Sequence, residues 1–304
     1  MSASRSYELA LPHPRDAGRV VVWDGAAFEV DGKAMRVLHY DVSASGWTDE
    51  LTRLHEETSG SDHFMDVASR AHALSEVMRC TAGAPALVLE VGCSSGFLLR
   101  EMLARMPQHR FLGADYTRGT LENLGKELPH VPLVQFDLTR CPLPTASIDV
   151  AVLLNVLEHI ADHEAALAHL YRIIRPGGSI VLEVPASASL FDIYDRALMH
   201  HRRYDMRPLV NLIERAGFVV ERRSHLGFFV FPVFSLAKRL NQIRYRNHGD
   251  VDAKHVVSHM IATSRRSNTL MNAVMDLERL LRRYVYLPWG IRCLVTGGKP
   301  TSVQ

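Results

Sequence analysis

The sequence lacks any apolar stretch long enough to cross a bilayer; the longest, Leu226 to Ala237, is interrupted by Pro232. The opening MSASRSYELALPHPRD has no apolar core of the kind a secretory signal requires. Cysteine is scarce: Cys80, Cys93, Cys141 and Cys293 are the only four in 304 residues, with no C-x-x-C pair. Each lies in an apolar or glycine-rich segment, which argues for free buried thiols in a reducing compartment and against a disulfide framework. An excess of one charge is also missing, since 35 basic residues face 33 acidic ones for a net +2. No strong field therefore holds the chain to nucleic acid or an anionic membrane. Internal repeats and low-complexity tracts are absent. These absences predict a cytoplasmic protein with a small-molecule partner, no nucleic acid and no membrane span, and leave a homodimer open.

What is present reads as a globular chain, 47% apolar and 22% charged. Its length suits one large domain with elaborations. Val20 to Leu38 has two β-rich runs around glycine turns, a small hairpin or three-stranded piece. Two helical patterns follow: Trp47, Leu51 and Leu54 after a Thr48 cap, then Phe64, Val67, Ala71, Leu74 and Met78. From Pro85 the character changes to short continuous apolar runs, the mark of strands buried on both faces. Strands are predicted at Leu87 to Val91, Phe111 to Ala114, Leu133 to Phe136, Val150 to Leu154, Ile180 to Val184 and Val219 to Arg223. Helical patterns lie at Phe97 to Met106, Asp162 to Ile174 and Met206 to Ala216, the last stopped by Gly217.

Strand and helix thus alternate, predicting an α/β, Rossmann-like, mostly parallel doubly wound sheet with its ligand at the carboxyl ends of the strands. The expected division is 1–79 as an N-terminal hairpin extension with lid helices, 80–226 as the core, 227–286 as a helical insertion and 287–304 as the last strand and tail. The final helix of the insertion is expected to gather Leu270, Val274, Leu277, Leu280 and Leu281 on one apolar face.

The most informative segment is LVLEVGCSSGFLLREM, a buried strand, a turn from Gly92 to Gly96, and a helix. Glycines there permit positive φ and close approach of backbone to a ligand, and the amides of the following helix attract an anion. Taken alone this signal is shared with dinucleotide-binding enzymes. Glu90, two residues before Gly92, adds an anion suited to a ligand bearing an ammonium group. Asp115 ends the second strand about 20 residues on, the offset at which an acid meets ribose hydroxyls. Asp137 ends the third, where a short acid accepts from an adenine amino group.

In order along the chain, LEVGCSSG, LGADYT, VQFDL, LLNVLEHI and RIIRPGGSIVLEVP resemble the successive motifs of the class I S-adenosylmethionine-dependent methyltransferases. They are nearest to the branch acting on quinones, natural products and sugars. The resemblance runs from about Leu87 to Val220. It implies S-adenosylmethionine as cofactor: Glu90, Gly92, Ser94 and Gly96 holding the methionine portion, Asp115 with Tyr116 the ribose, Asp137 with Leu138 the adenine, and Asn155 near the sulfonium. Ser94 departs from the pattern, standing where the family usually has glycine.

Methyl transfer needs an aligned acceptor, a nucleophile freed of its proton, and little water. Candidates follow the fourth and fifth strands. His159 is the candidate base and Tyr204 a second catalytic candidate, with Glu158, His200, His201, Arg202 and Arg203 as substrate-binding residues. The HHRRY segment resembles one in natural-product and sugar methyltransferases, which implies acceptor contact. Phe228, Phe229, Phe231 and Phe234 read as core, with the wall of an apolar acceptor pocket as the alternative. No metal is expected, because His159 and His163, four apart, lack a third ligand. The implied reaction is methyl transfer to an O, N or C nucleophile of a small molecule in bacterial secondary or cell-surface metabolism. The competing readings are an RNA or protein methyltransferase and a noncatalytic cofactor-binding scaffold.

Overall fold

The computed structural model describes residues 9–42, 48–50, 52, 62–245, 265–282 and 284–301. The Trp47, Leu51 and Leu54 pattern lies outside these. Among the described residues, strands β1 (Leu9–His13), β2 (Asp16–Trp23), β3 (Phe28–Val30) and β4 (Lys33–Met35) form an antiparallel four-stranded sheet. It is larger than the expected hairpin because β1, LALPH, joins it despite its proline. Trp23 and Phe28, both fully buried with rings 5.0 Å apart, pack it onto the core.

The main sheet has eight strands. β5 (Val37–His39), β6 (Leu87–Val91), β7 (Arg110–Asp115), β8 (Leu133–Gln135), β9 (Ile148–Leu154), β10 (Ile174–Pro185), β11 (Val219–Leu226) and β12 (Arg292–Gly298) run in spatial order β11-β12-β10-β9-β6-β7-β8-β5. All pairings are parallel except those of β12, which is antiparallel to both neighbours. The edge strand β5 was not expected: its three residues pair with β8 and extend the sheet into the region read as an N-terminal extension. Burial on both faces explains the unbroken apolar runs. Along β6, Leu87, Leu89 and Val91 join one core cluster and Val88 the other.

Helix α1 (Phe64–Thr81) precedes β6, from which the chain winds outward through α2 (Phe97–Arg105) to β7 and through α3 (Arg118–Glu127) to β8, then returns to β9 on the other side of β6. The crossovers therefore reverse between β6 and β9, and a crevice opens there at the strands' carboxyl ends. Helix α1 packs against β9 and β10, so a boundary between 79 and 80 cuts through it. Its buried side chains include Met65, Ala68, Ala73 and Val77, while Met78 is exposed, a rotation of the expected stripe. The sheet is completed by α4 (His163–Ile173), α5 (Ile193–Ala197) and α6 (Met206–Arg215). Gly217 closes α6 at φ 103°, where a Cβ would come within 2.7 Å of the Tyr171 ring.

Two described helices, α7 (Phe231–Arg244) and α8 (Arg265–Leu281), lie between β11 and β12. The expected apolar face of α8 is not the buried one: Leu270, Leu277 and Leu280 are exposed, whereas Met275 and Glu278 face inward. Polar demand sets that face. Glu278 accepts from the amides of Gly227 and Phe228 at 2.8 and 2.7 Å, and Asn268 caps the start of α1 by accepting from Phe64 N at 2.9 Å. The phenylalanines of GFFVFPVF do not form core either: Phe228 stacks on Trp289, Phe229 is exposed, and Phe234 lines the crevice. No described helix is long and apolar enough to cross a membrane.

Candidate active site

After β6 the chain turns through Gly92, whose amide and that of Cys93 donate to Ala114 O at 2.8 and 3.0 Å. Gly92 sits at φ 75°, and a Cβ there would fall 2.4 Å from Val156 Cγ2, across the reversal point. Only glycine lets the loops after β6 and β9 come this close. Ser94 also has positive φ, 48°, so the glycine usual at this position answers a backbone need. Its amide donates to Asp115 Oδ2 at 2.8 Å, which ties the loop to the end of β7. Gly96 departs from its expected role. It does not line the crevice; a Cβ there would lie 2.5 Å from Leu124 Cδ1, so it serves the packing of α2 on α3.

Asp115 and Asp137 are held by one device used twice. Asp115 Oδ1 accepts from the amide and hydroxyl of Thr117 at 2.9 and 2.7 Å, and Asp137 Oδ1 does the same with Thr139 at 2.9 and 2.7 Å. These D-x-T turns fix both carboxylates at the crevice rim, beside Tyr116 and Leu138. The two threonines are functional neighbours that the sequence reading passed over. Glu90 lies deeper, buried, and its Oε2 has no hydrogen-bond partner among the described residues. Burial pushes its carboxyl well above the usual range, and the nearby charge of Asp115 adds to this. An orphaned carboxylate oxygen beside a glycine turn fits the ammonium group of an amino-acid-bearing cofactor, and the rim acids fit ribose and adenine donors.

On the other side of the crevice, a short 3-10 turn over Leu157–His159 follows β9. Glu158 is fully buried in it, and among the described residues neither of its carboxylate oxygens has a hydrogen-bond partner; burial pushes its carboxyl up to about 8. His159 and His200 meet edge to face with ring centroids 4.7 Å apart. One donor atom each from Glu158, His159 and His200 lies within 4.8 Å of the others, so the acid and histidine cluster judged absent from spacing exists in space. His163 is not part of it, since its Nδ1 meets Tyr204 Oη at 3.0 Å.

The HHRRY segment divides. His200, His201 and Arg203 line the crevice, but Arg202 and Tyr204 do not. Arg202 donates to Ala161 O at 2.7 Å, and the buried Tyr204 donates to Leu157 O at 3.2 Å within the core. Tyr204 therefore braces the turn that carries Glu158 and His159, and its expected catalytic role does not fit this position. Asn155 lines the crevice at φ 53°, its amide donating to Glu183 O at 2.9 Å and its side chain to Glu183 Oε1 at 3.2 Å.

Behind these groups lie two buried networks. In one, Asp195 Oδ1 accepts from Arg203 Nη1 at 2.9 Å and meets His200 Nδ1 at 3.0 Å, while Lys238 Nζ of α7 donates to Asp195 Oδ2 at 2.8 Å and Asp192 Oδ1 at 2.7 Å. Burial alone would raise the Asp195 carboxyl, but the His200 hydrogen bond and the charges of Arg203 and Lys238 carry it far below the usual range. In the other, Arg292 of β12 bonds Glu183 and Asp66 at 2.7 and 2.8 Å, and Ser69 donates to Glu183 at 2.6 Å. No local sequence signal marks these partners. The crevice is one continuous cavity of about 1090 Å³ that reaches from the rim acids to the Glu158, His159 and His200 cluster.

The methyltransferase domain family matches residues 89–182, the span from β6 into β10. A probable S-adenosylmethionine-dependent methyltransferase of Mycolicibacterium smegmatis is 33% identical over 144 residues, 47% of this chain and 54% of that protein. A trans-aconitate 2-methyltransferase of an Acidovorax species is 31% identical over 113 residues, 37% of this chain and 43% of that one. The matched region thus spans about half the length of these curated relatives. In fold, the YcgJ protein of Bacillus subtilis superposes with a TM-score of 0.51 at 14% identity, covering 76% of this chain and all of that one. The ordered motifs, the reversal-point crevice and a donor set that fits the cofactor accord with these likenesses, and residues 89–182 form a domain similar to those of the class I S-adenosylmethionine-dependent methyltransferases.

Proposed function

We propose that this protein transfers the methyl group of S-adenosylmethionine to an O, N or C nucleophile of a small-molecule acceptor, in bacterial secondary or cell-surface metabolism. The observation that carries the reading is the single cavity of about 1090 Å³ with differently equipped ends. Small-molecule pockets run from roughly 300 to 1,000 Å³, so this one has room for a cofactor and a second small molecule. The relatives whose names specify small acceptors, trans-aconitate and demethylmenaquinone, support the same substrate class.

Bound S-adenosylmethionine supplies an electrophilic methyl group on a sulfonium. The rest falls to the chain. Glu90 pairs with the ammonium group, the Gly92 and Ser94 turn lies along the methionine portion, Asp115 with Tyr116 receives the ribose hydroxyls, and Asp137 with Leu138 the adenine. Asn155 stands at the junction of the two ends. Glu158, His159, His200, His201 and Arg203 face the acceptor, where His159 accepts its proton and Arg203 and His201 orient it. His63, Phe64 and Phe234 cover the cavity from α1 and α7 and exclude water.

The test is to incubate purified protein and S-adenosylmethionine with the small-molecule fraction of a bacterial extract and follow S-adenosylhomocysteine by mass spectrometry. The expected result is turnover with one metabolite gaining a methylene. Methylation confined to the RNA or protein fraction would overturn the small-molecule reading, and binding without turnover in any fraction would favour a scaffold.

A further inference from the structure

We propose that Glu158, His159 and His200 hold a divalent first-row transition cation at the acceptor end of the cavity. The inference rests on the acceptor reading above and deepens it, because the cation would receive an acceptor that offers an oxygen ligand.

Three observations carry it. Glu158 is fully buried, yet among the described residues both of its carboxylate oxygens lack a hydrogen-bond partner, although a buried carboxylate ordinarily takes hydrogen bonds or a cation. Ligand atoms of the three residues lie within 4.8 Å of one another, a spacing from which they need only draw together to surround one ion at the usual distances of about 2.0 to 2.2 Å. His200 is also set as a ligand should be. Its Nδ1 faces the Asp195 carboxylate at 3.0 Å, which can only accept, so Nδ1 carries the proton and Nε2 keeps its lone pair. A carboxylate behind a histidine in this way fixes tautomer and ring orientation at metal centres. Lys238 and Arg203, bonded to the same Asp195, neutralise it and hold it still.

Two imidazoles and one carboxylate select zinc, manganese, iron or cobalt over magnesium or calcium, which prefer oxygen throughout. Three protein ligands leave positions open for an oxygen of the acceptor, and coordination there lowers the pKa of a hydroxyl. Glu158 and His159 come from the turn after β9, and His200 from the segment after α5. Acceptor binding and deprotonation would therefore be coupled at one point, with His159 serving as a ligand instead of as the base and the acceptor's proton passing to solvent.

The experiment is titration of the metal-free full chain with Co²⁺, read by visible absorption and by calorimetry, with folding of each variant checked by circular dichroism. One equivalent should produce the visible bands of cobalt bound by nitrogen and oxygen. Glu158→Gln, nearly the same size and shape, and His200→Ala should each weaken that binding at least a hundredfold. The chain has 16 histidines, so binding that survives both substitutions would mark ions held elsewhere and overturn the proposal, as would the absence of any cobalt signal. S-adenosylhomocysteine binding, measured in parallel, separates the outcomes: a protein that binds it but not cobalt refutes the metal site alone.

Discussion

At the proposed cofactor end of the cavity Asp115 and Asp137 take hydrogen bonds from residues two positions away, whereas at the proposed acceptor end Asp195 takes its own from Arg203 and Lys238, eight and 43 positions away. The first end is assembled mainly by turns that each short segment can form by itself, with one bond to Asp115 from the Ser94 amide 21 positions away. The second exists only once α5, the HHRRY segment and α7 have packed together. Cofactor geometry is thus written locally, while acceptor geometry depends on tertiary assembly and on long-range burial of charge.

The sharpest way to break this contrast is to remove a carboxylate from each end. Asp195→Ala leaves the buried Arg203 without its carboxylate and Lys238 with Asp192 alone, and breaking a buried pair in this way costs about 3 to 5 kcal/mol of folding stability. Asp137→Ala removes only the two local turn bonds from Thr139 and should cost about 1 to 2 kcal/mol. Urea denaturation compares the two; similar midpoints would show that the Asp195 network does not organise the acceptor end.

Next in size is a pH effect confined to the cofactor end. Burial holds the Glu90 carboxyl above its ordinary value of 4.5 in the empty site, and a ligand ammonium favours the ionised form. Below the raised value, binding must release a proton, so affinity for S-adenosylhomocysteine should rise with pH, by up to about tenfold per unit, and then flatten. The sign for stability is opposite: the raised pKa favours the folded empty protein at low pH, and that contribution is lost as pH rises through the folded value. Glu90→Gln should abolish the affinity slope in calorimetry; a slope of unchanged size would assign it to another group.

The smallest expected change is at Tyr204. Tyr204→Phe loses the bond to Leu157 O and should cost about 1 kcal/mol in stability with turnover nearly unchanged. A drop in kcat of an order of magnitude without loss of stability would return Tyr204 to the chemistry.

The same contrast explains what could be read from the sequence. The strands β6 to β11, the glycine turn and the acids Glu90, Asp115 and Asp137 were legible because period, turn chemistry and strand ends are local properties. The three-residue β5 was not, since its place depends on β8, about 96 positions away at the His39 and Gln135 contact. The buried face of α8 was misread because Glu278 satisfies backbone amides of a distant turn, which overrides an exposed leucine stripe. His163 looked like the partner of His159 by spacing, but a 3-10 turn and a helix cap at Asp162 separate their directions, and His200 takes the place.

The central claim is that one cavity has a cofactor end and an acceptor end that can be disabled separately. Calorimetry of S-adenosylhomocysteine against Asp115→Ala and Glu158→Gln tests it most directly. Losing the charge-assisted bonds of Asp115, worth about 1.5 to 3 kcal/mol, should weaken binding roughly tenfold to a hundredfold, with Glu158→Gln indistinguishable from the parent. Unchanged binding in Asp115→Ala, or an equal loss in Glu158→Gln, would contradict the division.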